Sequence, residues 1–585
     1  MENIFALIDE YTDVTHFDKL GIKSIQLSDS VFDDETIHDF IIENILPKNP
    51  LKLIIPASLG TIKTNFWGLR IGLHFRLTPG LGNLKRIPLI FVSDSSLDEI
   101  LTIQKEKYGL ICTTQGSILV NNSYEEINAA LDHIQELPKN NYIDAFVDKI
   151  LIPKPEENGK HSIANIWGVY QLAKITSHLD VLTSITKYLN KQKDLYFKYI
   201  LAISDNSMEQ LQNIKTQEIG IIKYSGNILF IDDEADKGWG EILKAIFVNA
   251  NVEIVGRGDI ELFNSYIDKA ENKALETVNS LPKWDLILLD LRLDANEDIG
   301  QKANQMAHEY SGAKLLRKII NSNEGIQVIM FTASNKAWNM RELIEMGADG
   351  FYIKEAPEYS RDESFSLNNY LSFEKQTNDC FERKNLKNVF ELNKNILAHL
   401  SLQDTLSQTK PINQKNRELI KTYLKLGFNA IQKFSPSKKE FSLYCFLEYY
   451  KIIEILGKSL IEDKDDKLMI LGKTNVKINF VNLKPVLLSK IEPIKSGTFI
   501  TSFKINDYTP VSDDSYYTNP TSSTRFAGLM LLRFGFTETD VAKFMQLNYL
   551  RNTLVAHPTN QTTNSISLND IISLVTILKI SFDHL

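Results

Sequence analysis

Three short apolar runs in the middle of the chain constrain its fold more than any other feature. They are Asn227–Asp233 (NILFIDD), Trp284–Asp290 (WDLILLD) and Ile326–Thr332 (IQVIMFT), and a fourth segment, Gly347–Lys354 (GADGFYIK), follows them. Each run is dense in Ile, Leu, Val and Phe and bounded by polar residues, the pattern of a strand buried on both faces. Helix-length stretches separate them, so the economical arrangement is a repeated βα unit with a parallel sheet. Ligands of such sheets bind at the carboxyl ends of the strands. Asp232, Asp233, Asp290, Thr332 and Lys354 all fall there, at positions that chemistry explains better than packing.

The length of 585 residues predicts three or four domains. With 43% hydrophobic residues the chain can bury real cores. A net charge of −9 argues against wholesale nucleic-acid binding. Cys112, Cys380 and Cys445 are too few and too scattered for a disulfide framework or a zinc site. The first residues, MENIFALIDEYTD, carry acids where a signal peptide carries Lys or Arg. No apolar stretch is long enough to span a bilayer. The expectation is a cytoplasmic protein without membrane contact.

Four pieces are expected. Residues 1–150 read as an α/β unit of unknown role, at most a degenerate relative of the central one, with strand-like runs in Leu51–Leu59, Ile87–Asp94 and Tyr108–Val120 and a helix over Tyr124–Leu137. Asp94 ends a strand, but no acidic pair or strand-end lysine accompanies it. It reads as a helix cap, with Ser95–Asp98 as the helix start. Residues 151–222 form a helical connector (Ser162–Ser177, Val181–Ile203). Residues 225–356 are the motif-bearing unit. Residues 385–585 are helical, broken by a long polar loop over Ser496–Thr524. No internal repeat is visible.

A carboxylate that accepts phosphate needs a nucleophilic Asp, a divalent cation and donors for the remaining charge. Mg²⁺ prefers carboxylate and carbonyl oxygens. Asp232 and Asp233 supply adjacent acids, Asp290 an acceptor at a neighbouring strand end, Thr332 a hydroxyl and Lys354 a point charge. Residues 227–355 closely resemble the receiver domain of two-component response regulators. The resemblance implies a doubly wound, parallel five-stranded sheet with Asp290 as phosphoacceptor. Asp232, Asp233, Asp290 and the backbone carbonyl of Arg292 would hold Mg²⁺. Thr332 and Lys354 would be the switch hydroxyl and phosphate-binding lysine, and Phe351 the rotating aromatic. A histidine kinase or phosphotransfer protein would be the partner. Two departures stand out. Glu355 follows Lys354 where the family usually has proline, and the insertion Asp294–Tyr310 carries acids (Asp294, Glu297, Asp298) expected to hang over the site.

In the C-terminal piece, Thr537 caps a helix with Asp540 three residues on, and Val541, Phe544, Leu547, Leu550 and Leu554 follow at helical spacing. Pro558 should stop that helix at His557. On one continuous helix Arg551 and His557 lie roughly 120° apart, so a compact site would need a second copy across a twofold axis. Arg551, Asn552 and His557 (LRNTLVAHP) resemble the Arg–His motif of HEPN domains, with Gln414–Phe434 and Phe441–Asp463 as earlier helices of the bundle. That implies a homodimeric, metal-independent ribonuclease. His557 would be the acid or base, Arg551 would stabilise the phosphorane and Asn552 would orient them. Ten Lys/Arg against four Glu between Lys410 and Leu460 would favour RNA, although such a bias is also that of an ordinary solvated helix face. Glu454 is either a further site residue or a buried partner for Arg551. The fold class expected is thus α/β plus all-α. The function expected is a phosphorelay regulator of a ribonuclease in stress or phage defence. The alternative is a non-enzymatic adaptor whose helical domain binds a protein. No kinase ATP site or helix-turn-helix is recognisable, which leaves DNA-binding roles out.

Overall fold

The computed structural model of the chain describes residues 3–28, 32–104, 106–139, 142–153, 160–189, 193–204, 222, 225–256, 284–294, 297, 306–333, 337–356, 363–405, 412–434, 438, 440–464, 467–471, 477–479, 491–496, 499–505, 522–553 and 566–585. Two five-stranded parallel sheets form its α/β part. The first contains β1 (Ile4–Ile8), β2 (Lys23–Gln26), β3 (Lys52–Pro56), β4 (Leu89–Val92) and β5 (Ser117–Val120), in the order β2-β1-β3-β4-β5. The second contains β6 (Asn227–Ile231), β7 (Asn251–Val255), β8 (Leu286–Asp290), β9 (Val328–Thr332) and β10 (Gly350–Ile353), in the order β7-β6-β8-β9-β10. Every pairing in both sheets is parallel. Both sheets thus have one strand order, which reverses between the first and third strands, where such folds bind ligands.

This duplication corrects the expectation that the chain has no internal repeat. The copy is one of topology, so nothing in the residue pattern announces it. Two strands of the first sheet are also additions to the expected set. β2 (KSIQ) buries only Ile25, too little for a strand signal, and Tyr108–Thr113 is a 3₁₀ turn rather than part of β5. Ser96, not Asp94, caps the Leu97–Ile103 helix, in a capping box with Glu99. Asp94 is exposed at the strand end.

The connector is three helices, Lys160–Ile175, Leu179–Leu189 and Leu195–Ser204. Their apolar faces join both sheets and the Glu363–Glu382 helix into one core. A buried polar chain fastens the third helix to the first unit. Asp34 Oδ1 accepts from Arg70 Nε and His74 Nε2, each at 2.8 Å, and Lys198 Nζ lies 2.8 Å from His74 Nδ1. Burial pushes His74 down to about 4 and Lys198 down to about 7. Asp34→Ala would leave Arg70 without its carboxylate and His74 Nε2 without an acceptor, and we expect a loss of about 3 kcal/mol, read as faster hydrogen exchange across residues 195–204. His74 holds fewer protons folded than unfolded. Its contribution is therefore full above pH ~6.5 and fades as pH falls towards 4.

The edge strand β10 is closed by the Glu363–Glu382 helix. Ser366 Oγ donates to Glu355, Asn369 brackets Ile353 (Oδ1 from its N–H at 3.3 Å, Nδ2 to its C=O at 2.8 Å), and Gln376 Oε1 accepts from Phe351 N at 2.7 Å. Beyond the helix end, Arg383 Nη2 meets Asp349 at 3.0 Å. One helical face and Arg383 beyond it therefore pair with every second residue from Asp349 to Glu355. A Cβ on Gly350 would sit 1.9 Å from Gln376 Oε1, so any larger residue there would push the Gln376 side chain off Phe351 N.

The C-terminal part has its own core, formed by helices Leu386–Thr405, Gln414–Ile431, Glu440–Ser459, Ser522–Leu532, Glu538–Arg551 and Leu568–Asp583. It is not helical throughout. Ile461–Lys464, Lys467–Leu471 and Lys477–Asn479 form an antiparallel sheet, and Ile491–Ser496 pairs with Phe499–Ile505. The expected loop over 496–524 is corrected in part by that last strand, whose FITSFKI sequence alternates aromatic and β-branched residues with polar ones.

Candidate functional site

The carboxyl ends of β6, β8 and β10 bring Asp232, Asp233, Asp290 and Lys354 to one place. Lys354 Nζ lies 2.7 Å from Asp232 Oδ2 and 3.0 Å from Asp290 Oδ1, with all three side chains fully buried. Oxygens of Asp232, Asp233 and Asp290 lie within 4.8 Å of one another. The backbone fixes these groups. Glu234 N donates to Asp232 Oδ1 (2.8 Å), Arg292 N donates to Asp290 Oδ2 (3.2 Å), and Lys354 N donates to Thr332 O (2.7 Å). Thr332 is buried at the end of β9. Phe351 is half-buried on the face of β10 opposite Tyr352, which packs edge-on to Trp239 and Phe373.

Three acids and one lysine leave the site short of positive charge. Burial raises the Asp232 and Asp290 carboxyls above the usual range, and Lys354 only partly offsets it. Asp233 is pushed up to about 8 by burial and by its neighbours Asp290 and Asp232. Burial opposes the Lys354 charge, but Asp232 and Asp290 outweigh it and hold the ammonium above its ordinary value. An oxygen-only donor set that is reluctant to ionise by itself suits a hard divalent cation.

The insertion after β8 does not put all its acids over the site. Glu297 turns to cap the Ser311–Ser322 helix, accepting from Ser311 N and Oγ, each at 2.8 Å. Asp298 lies outside the described residues. Glu355, where proline was expected, is buried against Ser366 and Asn369 and anchors the following helix. Sequence reasoning missed Asn165, which reaches in from the connector. Its Nδ2 donates to Glu234 Oε2 (2.7 Å) and its Oδ1 accepts from Trp239 Nε1 (3.0 Å). No local pattern links a residue to a site 69 positions away.

The same place in the first unit is chemically different. Ile4 pairs with Lys52 as Ile228 pairs with Leu286, and Leu51 N donates to Asn3 O as Asp285 N donates to Asn227 O. That register sets Pro56 where the second unit has Asp290. Two glycines mark the same correspondence, since a Cβ on Gly68 would sit 1.9 Å from Pro56 O and one on Gly312 would sit 2.0 Å from Asp290 O. Proline offers no carboxylate. Asp9, in the register of Asp233, accepts from Gly60 N (2.7 Å) and Thr12, so it ties its own loop to the one after β3.

In the C-terminal part, Arg551 ends its helix and Asn552 follows it. Arg551 Nη2 pairs with Glu454 at 3.2 Å, its Nη1 donates to Asn552 Oδ1 at 3.0 Å, and its guanidinium lies 5.3 Å from the Tyr450 ring. Glu454 is thus the partner of Arg551, though both are about one-third exposed rather than buried. His557 lies outside the described residues.

The sequence profile of a family described as Inactive Receiver domain matches residues 9–120. No curated protein matches the chain. The family match falls on the first unit, the one whose acceptor register holds Pro56, and it supports a receiver-type regulator. Among the described residues, no helix is long and apolar enough to cross a membrane.

Proposed function

We propose that the chain is a signalling regulator with two receiver-fold units in tandem, the first without an acceptor and the second accepting a phosphoryl group on Asp290. The observation that carries this reading is Lys354 held between Asp232 and Asp290 beside Asp233. Asp232, Asp233, Asp290 and the Arg292 carbonyl would hold Mg²⁺, which when bound supplies charge neutralisation for the phosphoryl oxygens. An Asp290 carboxylate oxygen attacks phosphorus, and its O–P bond forms as the donor's P–N or P–O bond breaks. Lys354 then turns from its carboxylates to the new phosphoryl oxygens, and the Thr332 hydroxyl donates to another. A histidine kinase or phosphotransfer protein is the proposed physiological donor.

Incubation with acetyl phosphate and Mg²⁺ should give an acid-stable, base-labile phosphoryl group that Asp290→Asn abolishes. Label surviving in that variant would sink the assignment.

For output, the proposal is a homodimeric HEPN-like ribonuclease using Arg551, Asn552 and His557. Cleavage of total RNA should persist in EDTA and leave 2′,3′-cyclic phosphate ends, and His557→Ala and Arg551→Ala should each abolish it. The contact of Arg551 with Glu454 and Tyr450 favours a second reading, in which the arginine is structural and the helical part is an adaptor. Absence of cleavage with and without phosphodonor, together with capture of one protein partner by residues 385–585, would decide for the adaptor.

A further inference from the structure

The loop that carries the acid pair is closed by a residue from another part of the chain. Asn165, fully buried on the Lys160–Ile175 helix, touches both arms of that loop, Glu234 on one side and Trp239 on the other. Glu234 in turn fixes Asp232 through its backbone N–H. The Trp239 ring lies 5.7 Å from Lys354 Nζ. A polar chain therefore runs from the connector through Glu234 and Asp232 to Lys354, and back through Trp239 to the connector.

The amide is suited to this place because it presents a donor and an acceptor on one short planar group. Its donor meets a carboxylate and its acceptor meets an indole N–H. The helix also approaches as closely as its residues allow. A Cβ on Gly168 would lie 3.0 Å from the Trp239 ring and 3.3 Å from Glu355 N. Gly238, at φ +101°, faces Val169 of the same helix. A movement of this helix cannot leave the acid loop unchanged.

We propose that Asn165 is a positioning residue of the acid site, through which the connector sets cation occupancy at Asp232, Asp233 and Asp290. This rests on the cation-site reading above. When the connector helix is seated, the amide holds the Glu234 carboxylate in place by its hydrogen bond at 2.7 Å. When it is withdrawn, Glu234 is released and the loop loses the geometry that brings Asp232 and Asp233 together.

The test uses the full chain and Mg²⁺ alone. Asn165→Leu keeps size and charge but removes both hydrogen bonds. It should weaken Mg²⁺ binding about tenfold by calorimetry, and should speed hydrogen exchange across residues 232–239 in metal-free protein. The swap Asn165→Asp with Glu234→Gln reverses the donor and acceptor, keeps the net charge and still accepts from Trp239. It should restore both readouts to within about threefold of wild type. Should Asn165→Leu misfold, the swap remains decisive, because a loop set by packing alone gains nothing from reversed polarity. Wild-type affinity in Asn165→Leu, or a swap no better than a disrupted loop, would overturn the proposal. If wild type and Asp233→Asn both fail to bind Mg²⁺, the cation-site reading falls and this inference with it.

Discussion

Lys354→Met should cost the central unit about 3–5 kcal/mol at pH 8, the range for breaking a buried ion pair by removing one partner. The variant leaves Asp232 and Asp290 fully buried beside Asp233 with no cation among them. Both carboxyls are already pushed up by burial, and without Lys354 they rise further. An acid whose folded pKa lies above its unfolded value keeps its stability at low pH and loses it as pH rises through the folded value. The penalty should therefore shrink as the pH is lowered towards 5.5 and the carboxyls take up protons. Urea unfolding read from the buried Trp239 and Trp284 at the two pH values measures the difference. Equal losses at both, or a loss below about 1 kcal/mol at pH 8, would contradict the geometry's electrostatic reading.

Mg²⁺ affinity should rise steeply with pH up to about 8 and level off above it. Asp233 titrates at about 8 in the metal-free site, so below that value the cation must displace a proton. Loss of one proton per cation gives up to about tenfold tighter binding per pH unit well below that value, or about fiftyfold between pH 6 and 8. Calorimetry in two buffers of different ionisation enthalpy should count close to one proton released at pH 7. Asp233→Asn should flatten the profile as well as weaken binding. A profile that is flat in wild type would place the titrating group elsewhere.

The second sheet was legible because its strands are buried on both faces, and a continuous apolar run cannot hide. The residues at its strand ends could be read for the same reason, since polar groups at the ends of such runs stand out. Ile4–Ile8 and Lys23–Gln26 escaped because one adjoins a cluster of acids and the other buries a single residue. Pro56 could not be assigned to the acceptor register from sequence, because register is a property of paired strands. Asn165, Glu234 and Glu355 act through contacts between elements distant in the chain. Of the strands between residues 461 and 505, the first overlaps the expected Phe441–Asp463 helix, the next three lie in a stretch read as helical, and only Phe499–Ile505 lies wholly in the stretch read as a polar loop. Cys112, Cys380 and Cys445 are all free.

The side-chain ladder between β10 and the Glu363–Glu382 helix has a mechanical consequence. Its rungs at Glu355, Ile353, Phe351 and Asp349 are spread along the strand, and the helix runs antiparallel to it. Tension applied along the helix from the C-terminal part therefore loads the rungs in shear, all at once, rather than peeling them singly. Such a joint is stiff up to a threshold and then yields as a unit. The strand that carries Lys354 and the helix leading to the output part would transmit a pull in either direction without slack.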